Sequence, residues 1–283
     1  MKGGIYMAKR SAVVFGATGL VGESLVRQLC EQEEYISVTA IGRNVLNFKH
    51  EKLEQKIHSL DELTESDIRF AHDVFCCLGT TIKKAGSKAQ FEKVDFEYPM
   101  SIASLAKNQR VQHFIVISAM GASEKAMAYY SRVKGKLEAE LVKLEFPRLS
   151  IIRPSLLTGN RTEFRLGEKA GEKVLKVFNP LLIGGLKQYR SIEASQVATA
   201  MIAIALSEDE TPVKVYKSNE LAALRLPKKV EIAKDKVDKE TVFNWSKINR
   251  EQDVLDEEVT IDQSKIKTVD REKMTDKTVR TKD

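Results

Sequence analysis

The segment Gly16-Ala17-Thr18-Gly19-Leu20-Val21-Gly22 follows the short apolar run Ala12-Val13-Val14-Phe15 and precedes an amphipathic stretch over residues 23–29. No other feature constrains the chain as much. In a strand-to-helix turn of this kind, one glycine permits the tight turn and the next lets backbone N–H groups approach an anion. The third lets the helix pack on the strand. The helix that follows directs its positive end at the same point. Gly16, Gly19 and Gly22 are therefore expected to hold the pyrophosphate of a dinucleotide. A glycine-rich turn with no ligand would carry the same letters, but the flanking strand and helix favour binding.

Apolar runs recur at residues 38–41, 74–78, 114–118 and 149–152, with helical segments between them. Residues 95–107 and 126–144 read as helices flanking the 114–118 strand, 196–206 as a later apolar helix, and 213–216 as a last strand. This alternation predicts an α/β fold, a Rossmann-type doubly wound parallel sheet. At 283 residues and 42% apolar content the chain can bury a full core. That core is assigned to one domain over residues 1–226, which includes the substrate pocket, with residues 161–185 as the pocket's variable wall. From Pro227 onward charged residues of both signs crowd the sequence and no apolar stripe is evident. Residues 227–283 are read as a charged, flexible C-terminal extension with too little apolar surface to offset ordering entropy. Short strands at 241–245 and 259–261 are the alternative.

The net charge of +6 comes from scattered Lys and Arg, with no dense basic block or aromatic platform. An anionic cofactor accounts for it better than nucleic acid. The sequence has no run of about 18 apolar residues, so no membrane span is expected. Residues 1–10 lead into an apolar run too short for a signal peptide, and Met7 is an alternative start. Cys30, Cys76 and Cys77 form neither a disulfide framework nor a C-x-x-C pair. Together these points predict a cytoplasmic protein. Cys76 and Cys77 are expected to act as small hydrophobes in a buried strand, with a vicinal redox pair as the alternative. His50, His58, His72 and His113 lack the spacing of a metal site.

Tyr130 and Lys134 lie four apart on a predicted helix, so phenol and ammonium share one face. They follow a strand that ends in Ser118, and the carboxyl ends of parallel strands are where such sheets bind ligands. Moving a hydride to or from a carbonyl carbon requires a matching proton transfer at oxygen. A phenol with a pKa of about 10 is a poor base until a cation favours its anion. Lys134 is expected to supply the cation, Tyr130 the proton, and Ser118 a hydrogen bond that holds the reacting oxygen. The end of the second strand carries Gly42-Arg43, where an NAD enzyme usually places a carboxylate for the ribose 2′-hydroxyl. A guanidinium suits a 2′-phosphate, so NADP is expected over NAD.

With these segments, the chain resembles the short-chain dehydrogenase/reductase superfamily, and within it the atypical branch of Tat-interacting-protein-like oxidoreductases. The resemblance runs from about Ala12 to about Leu221. Besides the glycine turn it rests on Cys77-Leu78-Gly79-Thr80-Thr81, Val94-Asp95, His113-Phe114, Ser118-Ala119-Met120-Gly121-Ala122, Tyr130-Ser131-Arg132-Val133-Lys134-Gly135, Arg153-Pro154 and Arg165-Leu166-Gly167-Glu168. It implies that Thr18, Leu20 and Val21 join the glycines around the pyrophosphate, and that Leu78, Gly79 and Thr80 line the adenosine side. The loop at Arg153-Pro154 would cover the nicotinamide, and Ser118, Tyr130 and Lys134 match the catalytic positions. Related enzymes often hold a proton-relaying water on an Asn in the helix before the Ser strand. Here that helix opens with Asp95 and carries an Asn only at Asn108. The expected function is an NADP(H)-dependent oxidoreductase acting on a small carbonyl or alcohol. The alternative is an NADP(H)-binding sensor or interaction module without turnover, which docks a protein partner through the extension.

Overall fold

In the computed structural model, which describes residues 9–159 and 188–227, the apolar run at residues 12–15 is buried on both sides. It belongs to β1 (Arg10–Phe15). In chain order there follow α1 (Leu20–Cys30), β2 (Tyr35–Gly42), β3 (Leu53–Ile57), α2 (Glu65–Ile68), β4 (Asp73–Cys76), α3 (Ile82–Ala85), α4 (Lys88–Glu92), α5 (Tyr98–Asn108) and β5 (His113–Ile117). Then come α6 (Tyr129–Lys143), β6 (Arg148–Arg153), β7 (Leu157–Thr158), β8 (Ile192–Glu193), α7 (Ala194–Ala205), β9 (Val213–Lys217) and α8 (Ser218–Ala223). Seven strands pair in parallel in the order β3-β2-β1-β4-β5-β6-β9, and β7 pairs with β8 apart from them. The chain folds as the Rossmann-type doubly wound sheet its alternation predicts.

Because strand residues alternate between faces, Ala12 and Val14 enter one layer of the core and Val13 and Phe15 the other. The first layer packs Leu25, Val26 and Leu29 of α1 against Val197, Met201 and Ile202 of α7. The second packs Ile102 and Ala106 of α5 with Leu137 and Leu141 of α6. Each fully buried Val, Leu, Ile or Met among them is worth about 1.5–3 kcal/mol. Burial on both faces is why the central strands read as unbroken apolar runs.

β1 pairs with β2 on one side and β4 on the other, so the connections reverse direction there. Their carboxyl ends lie level: Phe15 is opposite both Ile41 and Cys76, Cys76 opposite Val116, and Ile117 opposite Ile152. That level edge, at a switch point, is where a doubly wound sheet opens a ligand crevice. Several boundaries differ from the sequence reading. β4 stops at Cys76 and leaves Cys77 and Leu78 in the following loop, while β5 stops at Ile117, one residue before Ser118. The helix expected at 95–107 is α5 preceded by a π turn at Lys93–Glu97. The edge strand β3 is unforeseen. The expected pocket wall at 161–185 and all but the first residue of the 227–283 extension lie outside the described residues.

Candidate functional site

The β1–α1 turn can be made only by glycine at two points. Gly16 has φ +76°, and a Cβ there would lie 2.7 Å from the Cys77 carbonyl carbon. A Cβ on Gly22 would lie 2.2 Å from the Gly16 carbonyl oxygen, where α1 closes on the turn. The turn is closed by the Gly19 amide donating to the Gly16 carbonyl at 2.9 Å. Gly19 begins α1 without a side-chain cap. The first-turn amides of Leu20, Val21 and Gly22 thus lack a capping side chain where a dinucleotide pyrophosphate would sit, and Thr18 is exposed beside them. The cradle fits the group.

A cleft continues from this turn along the sheet edge. Gly16, Ala17 and Thr18 line it with residues 40–44 from the end of β2, Leu78 after β4, and Val94 and Tyr98. Arg43 is exposed at its margin, and no carboxylate among the described residues pairs with it. Asn44 and Gln55 also line the cleft; neither was singled out in the sequence.

Lys134 is 1% exposed, on the inner face of α6. Its Nζ lies 2.8 Å from Asp95 Oδ1 and donates to the Ile117 carbonyl at 3.4 Å. Asp95 is wholly buried in the π turn, and its Oδ2 accepts the Thr80 amide at 2.8 Å. Burial works against the ammonium, but Asp95 and Tyr130 outweigh it and hold the Lys134 pKa above its ordinary value. A buried charge of this kind costs several kcal/mol unless it is paired. Tyr130 stands one turn before Lys134, half-buried, its ring centroid 5.5 Å from that of Phe91. Tyr130, Lys134, Asp95 and Thr80 are thereby gathered at the ends of β4 and β5.

Ser118 is placed differently from expectation. It is buried, and its Oγ donates to Glu138 Oε1 on α6, so its proton is not turned to a reacting oxygen. Glu138 is gripped in turn by Arg153 at the end of β6, with Nε donating to Oε1 at 2.9 Å and Nη2 donating to Oε2. Arg153 is thus engaged with α6, while the Pro154 carbonyl accepts the Met120 amide at 3.3 Å. Glu138 had a local cue, being four residues past Lys134 on the same face. Its contacts with Ser118 and Arg153 had none. Cys76 is fully buried and Cys77 partly so, with burial pushing the Cys76 thiol up to about 11 and the Cys77 thiol well above its usual range. Both thiols stay protonated, which favours a packing role over redox chemistry. No helix among the described residues is long and apolar enough to cross a membrane.

The NAD(P)H-binding family profile matches residues 16–208. The chain is similar to Protein HTATIP2 of Rattus norvegicus, 38% identical over 172 residues, which cover 59% of this chain and 71% of the relative. It is also similar to Protein FMP52, mitochondrial, of Eremothecium gossypii, 30% identical over 218 residues, covering 76% and 96%. Among solved structures, a UDP-N-acetylglucosamine 4-epimerase from Methanobrevibacter ruminantium M1 in complex with UDP-N-acetylmuramic acid shares the fold. Its TM-score is 0.57 at 18% identity, over 74% of this chain and 77% of that one. The cytoplasmic expectation is corrected by the relatives: FMP52 proteins of several yeasts, at 30% to 36% identity, are named mitochondrial. Apolar-run length and cysteine spacing carried no information about a compartment.

Proposed function

Because this chain belongs to the NAD(P)H-binding family, as an atypical member of the short-chain dehydrogenase/reductase superfamily, we propose that it is an NADP(H)-dependent oxidoreductase. It moves a hydride between nicotinamide and a small carbonyl or alcohol. The observation that carries this reading is the buried Lys134 ammonium one helical turn from the Tyr130 phenol, at the edge of the sheet that carries the glycine cradle. A structural lysine gains nothing from such a neighbour, whereas a phenol that must give and take a proton does. Gly16, Thr18, Gly19, Leu20, Val21 and Gly22 hold the pyrophosphate, and Leu78 borders the adenosine side; Gly79 and Thr80, expected there with it, stand instead against Asp95 and Lys134, toward the nicotinamide. Arg43 takes the 2′-phosphate, and Pro154 borders the nicotinamide. When bound, the cofactor supplies or accepts the hydride. Tyr130 exchanges a proton with the substrate oxygen, and Lys134 stabilises the phenolate that results. A mitochondrial location, supported by the names of the relatives, belongs to the same reading.

Arg43 gives the test of cofactor choice. NADPH should raise the melting temperature more than NADH, because only NADPH offers a 2′-phosphate. At a hundred times Kd the gain is about 2.7 kcal/mol, or roughly 5–10 °C for a domain of this size. Arg43→Asp should reverse the order. Equal shifts with both cofactors in the unaltered protein would defeat the NADP assignment.

The bond from Ser118 to Glu138 favours a second reading, since it denies the reacting oxygen one expected donor. On that reading the domain at 1–226 reports NADP(H) without turnover, and the 227–283 extension docks a protein partner. NADPH oxidation over a panel of carbonyls separates the two.

A further inference from the structure

The Lys134 ammonium does not stand alone beside Tyr130. Asp95 and Lys134 meet at 2.8 Å with 0% and 2% of their side chains exposed, so little solvent screens the pair. The other oxygen of Asp95 accepts the Thr80 amide, in the loop that leaves β4 along the cleft. One carboxylate therefore joins three elements: the β4 loop, the π turn and α6. Apart from Lys134, Asp95 Oδ1 has no hydrogen-bond partner among the described residues. The other charged and titratable groups nearby leave Asp95 as the counter-charge. Cys76, from β4, is a protonated thiol. Glu138, one turn further along α6, is matched by Arg153 from β6. Glu92 of α4 faces Tyr129, where it adds to burial in raising the Tyr129 phenol.

We infer that Asp95 is a positioning residue for the Tyr130 and Lys134 pair, fixing the ammonium to the Thr80 loop and cancelling much of the field by which Lys134 favours the phenolate. The inference rests on Tyr130 and Lys134 as the proton-transfer pair. A bare buried ammonium beside Tyr130 would leave the phenol ionised over a wider range and make it a weaker base. Balanced by Asp95, it lets Tyr130 remain protonated, ready to donate, while still accommodating the anion during transfer. Asp95 also makes the position of Lys134 depend on the loop beside the cofactor cleft.

The test is an alkaline titration of phenolate absorbance on the cofactor-free full chain, with Tyr130→Phe variants as blanks so that the difference reports Tyr130 alone. Asp95→Asn keeps an acceptor for the Thr80 amide and removes only the charge. It should lower the Tyr130 midpoint by about one pH unit or more. Should that variant not fold, Asp95→Asn/Lys134→Gln is compared with Lys134→Gln, and the same downward shift is expected. An unmoved midpoint in the pair that folds overturns the inference and leaves Asp95 a purely structural group. The titration needs no turnover. An inactive protein with a moved midpoint would refute the enzyme reading and keep the charge balance, and an active one with an unmoved midpoint would do the reverse.

Discussion

Tyr130 and its neighbour Tyr129 show how one step along a helix separates two roles. Successive residues differ by about 100° around the axis, so only Tyr130 shares a face with Lys134. Tyr129 faces Glu92, which adds to burial in raising its pKa, and its ring lies 5.0 Å from Lys88 Nζ and 5.8 Å from Arg132 Cζ. Tyr130→Phe keeps the ring against Phe91 and removes the hydroxyl that would carry the proton. It should leave melting temperature and NADPH affinity close to those of the unaltered protein while lowering turnover by about 10² to 10⁴. Tyr129→Phe should leave turnover close to unchanged. Steady-state kinetics on any accepted carbonyl checks both, and full activity in Tyr130→Phe would remove the tyrosine from the mechanism. This pair was legible in the sequence because its geometry is local. The contacts of Asp95 with Lys134, and of Glu138 with Ser118 and Arg153, were not, because each joins elements that only the folded sheet brings together.

Legibility of the elements followed burial. β1, β5 and β6 are covered on both faces and show as apolar runs, whereas β3, with the sequence Leu-Glu-Gln-Lys-Ile, sits at the sheet edge with every position half-buried or exposed. An edge strand of this kind has no apolar signature to read. The π turn at Lys93–Glu97 was equally silent, since it differs from an α-helix in which carbonyl each amide reaches rather than in residue type. The β1–α1 turn lies at the opposite extreme, because its backbone demands glycine. Gly22→Ala would put a methyl group 2.2 Å from the Gly16 carbonyl oxygen, and neither backbone can yield without opening the cradle. Overpacking of this sort costs about 1–3 kcal/mol, or roughly 2–12 °C in melting temperature, and NADPH binding should weaken in parallel. Gly42→Ala, whose Cβ meets nothing within 4 Å, is the control and should melt with the unaltered protein. If Gly22→Ala binds NADPH normally, the close approach of α1 to the turn is dispensable.

Across the whole molecule the two ends of the sheet are specialised. The carboxyl edge carries the cleft, and the opposite edge carries a buried polar network that stabilises the fold. There Asp73 accepts the Tyr35 hydroxyl at 2.7 Å and meets Arg10 and His72 at 3.4 and 3.1 Å. Arg10 and Arg148 reach past the strands to the Ala205 and Ile204 carbonyls, closing the C-terminus of α7, whose last turn has no basic residue of its own. His113 is 1% exposed, with Nε2 on Ser150 Oγ at 2.8 Å and no partner for Nδ1 among the described residues. A second proton would be buried without an acceptor. Burial, reinforced by Arg148, accordingly lowers the His113 pKa from 6.5 to about 3. Burial works against the Asp73 carboxylate, but His72, Tyr35 and Arg10 overcome it and hold its pKa below the usual value. Both shifts are depressions, so both contribute stability at neutral pH that acid removes. The His113 share is complete above about pH 6.5 and falls as pH drops toward 3, because the unfolded chain binds a proton that the folded one refuses. The Asp73 share is lost only below its unfolded value of about 3.9. Between pH 6.5 and 4 the decline should therefore come chiefly from His113, at about 1.4 kcal/mol per pH unit, or roughly 3–6 °C in melting temperature. His113→Gln keeps a polar partner for Ser150 and cannot titrate. Its melting temperature should be lower than that of the unaltered protein at pH 7.5 yet nearly flat from pH 6.5 to 4, so that the two curves converge in acid. Parallel curves would mean that His113 protonates in the folded state as readily as in the unfolded one, and that acid acts elsewhere on the molecule.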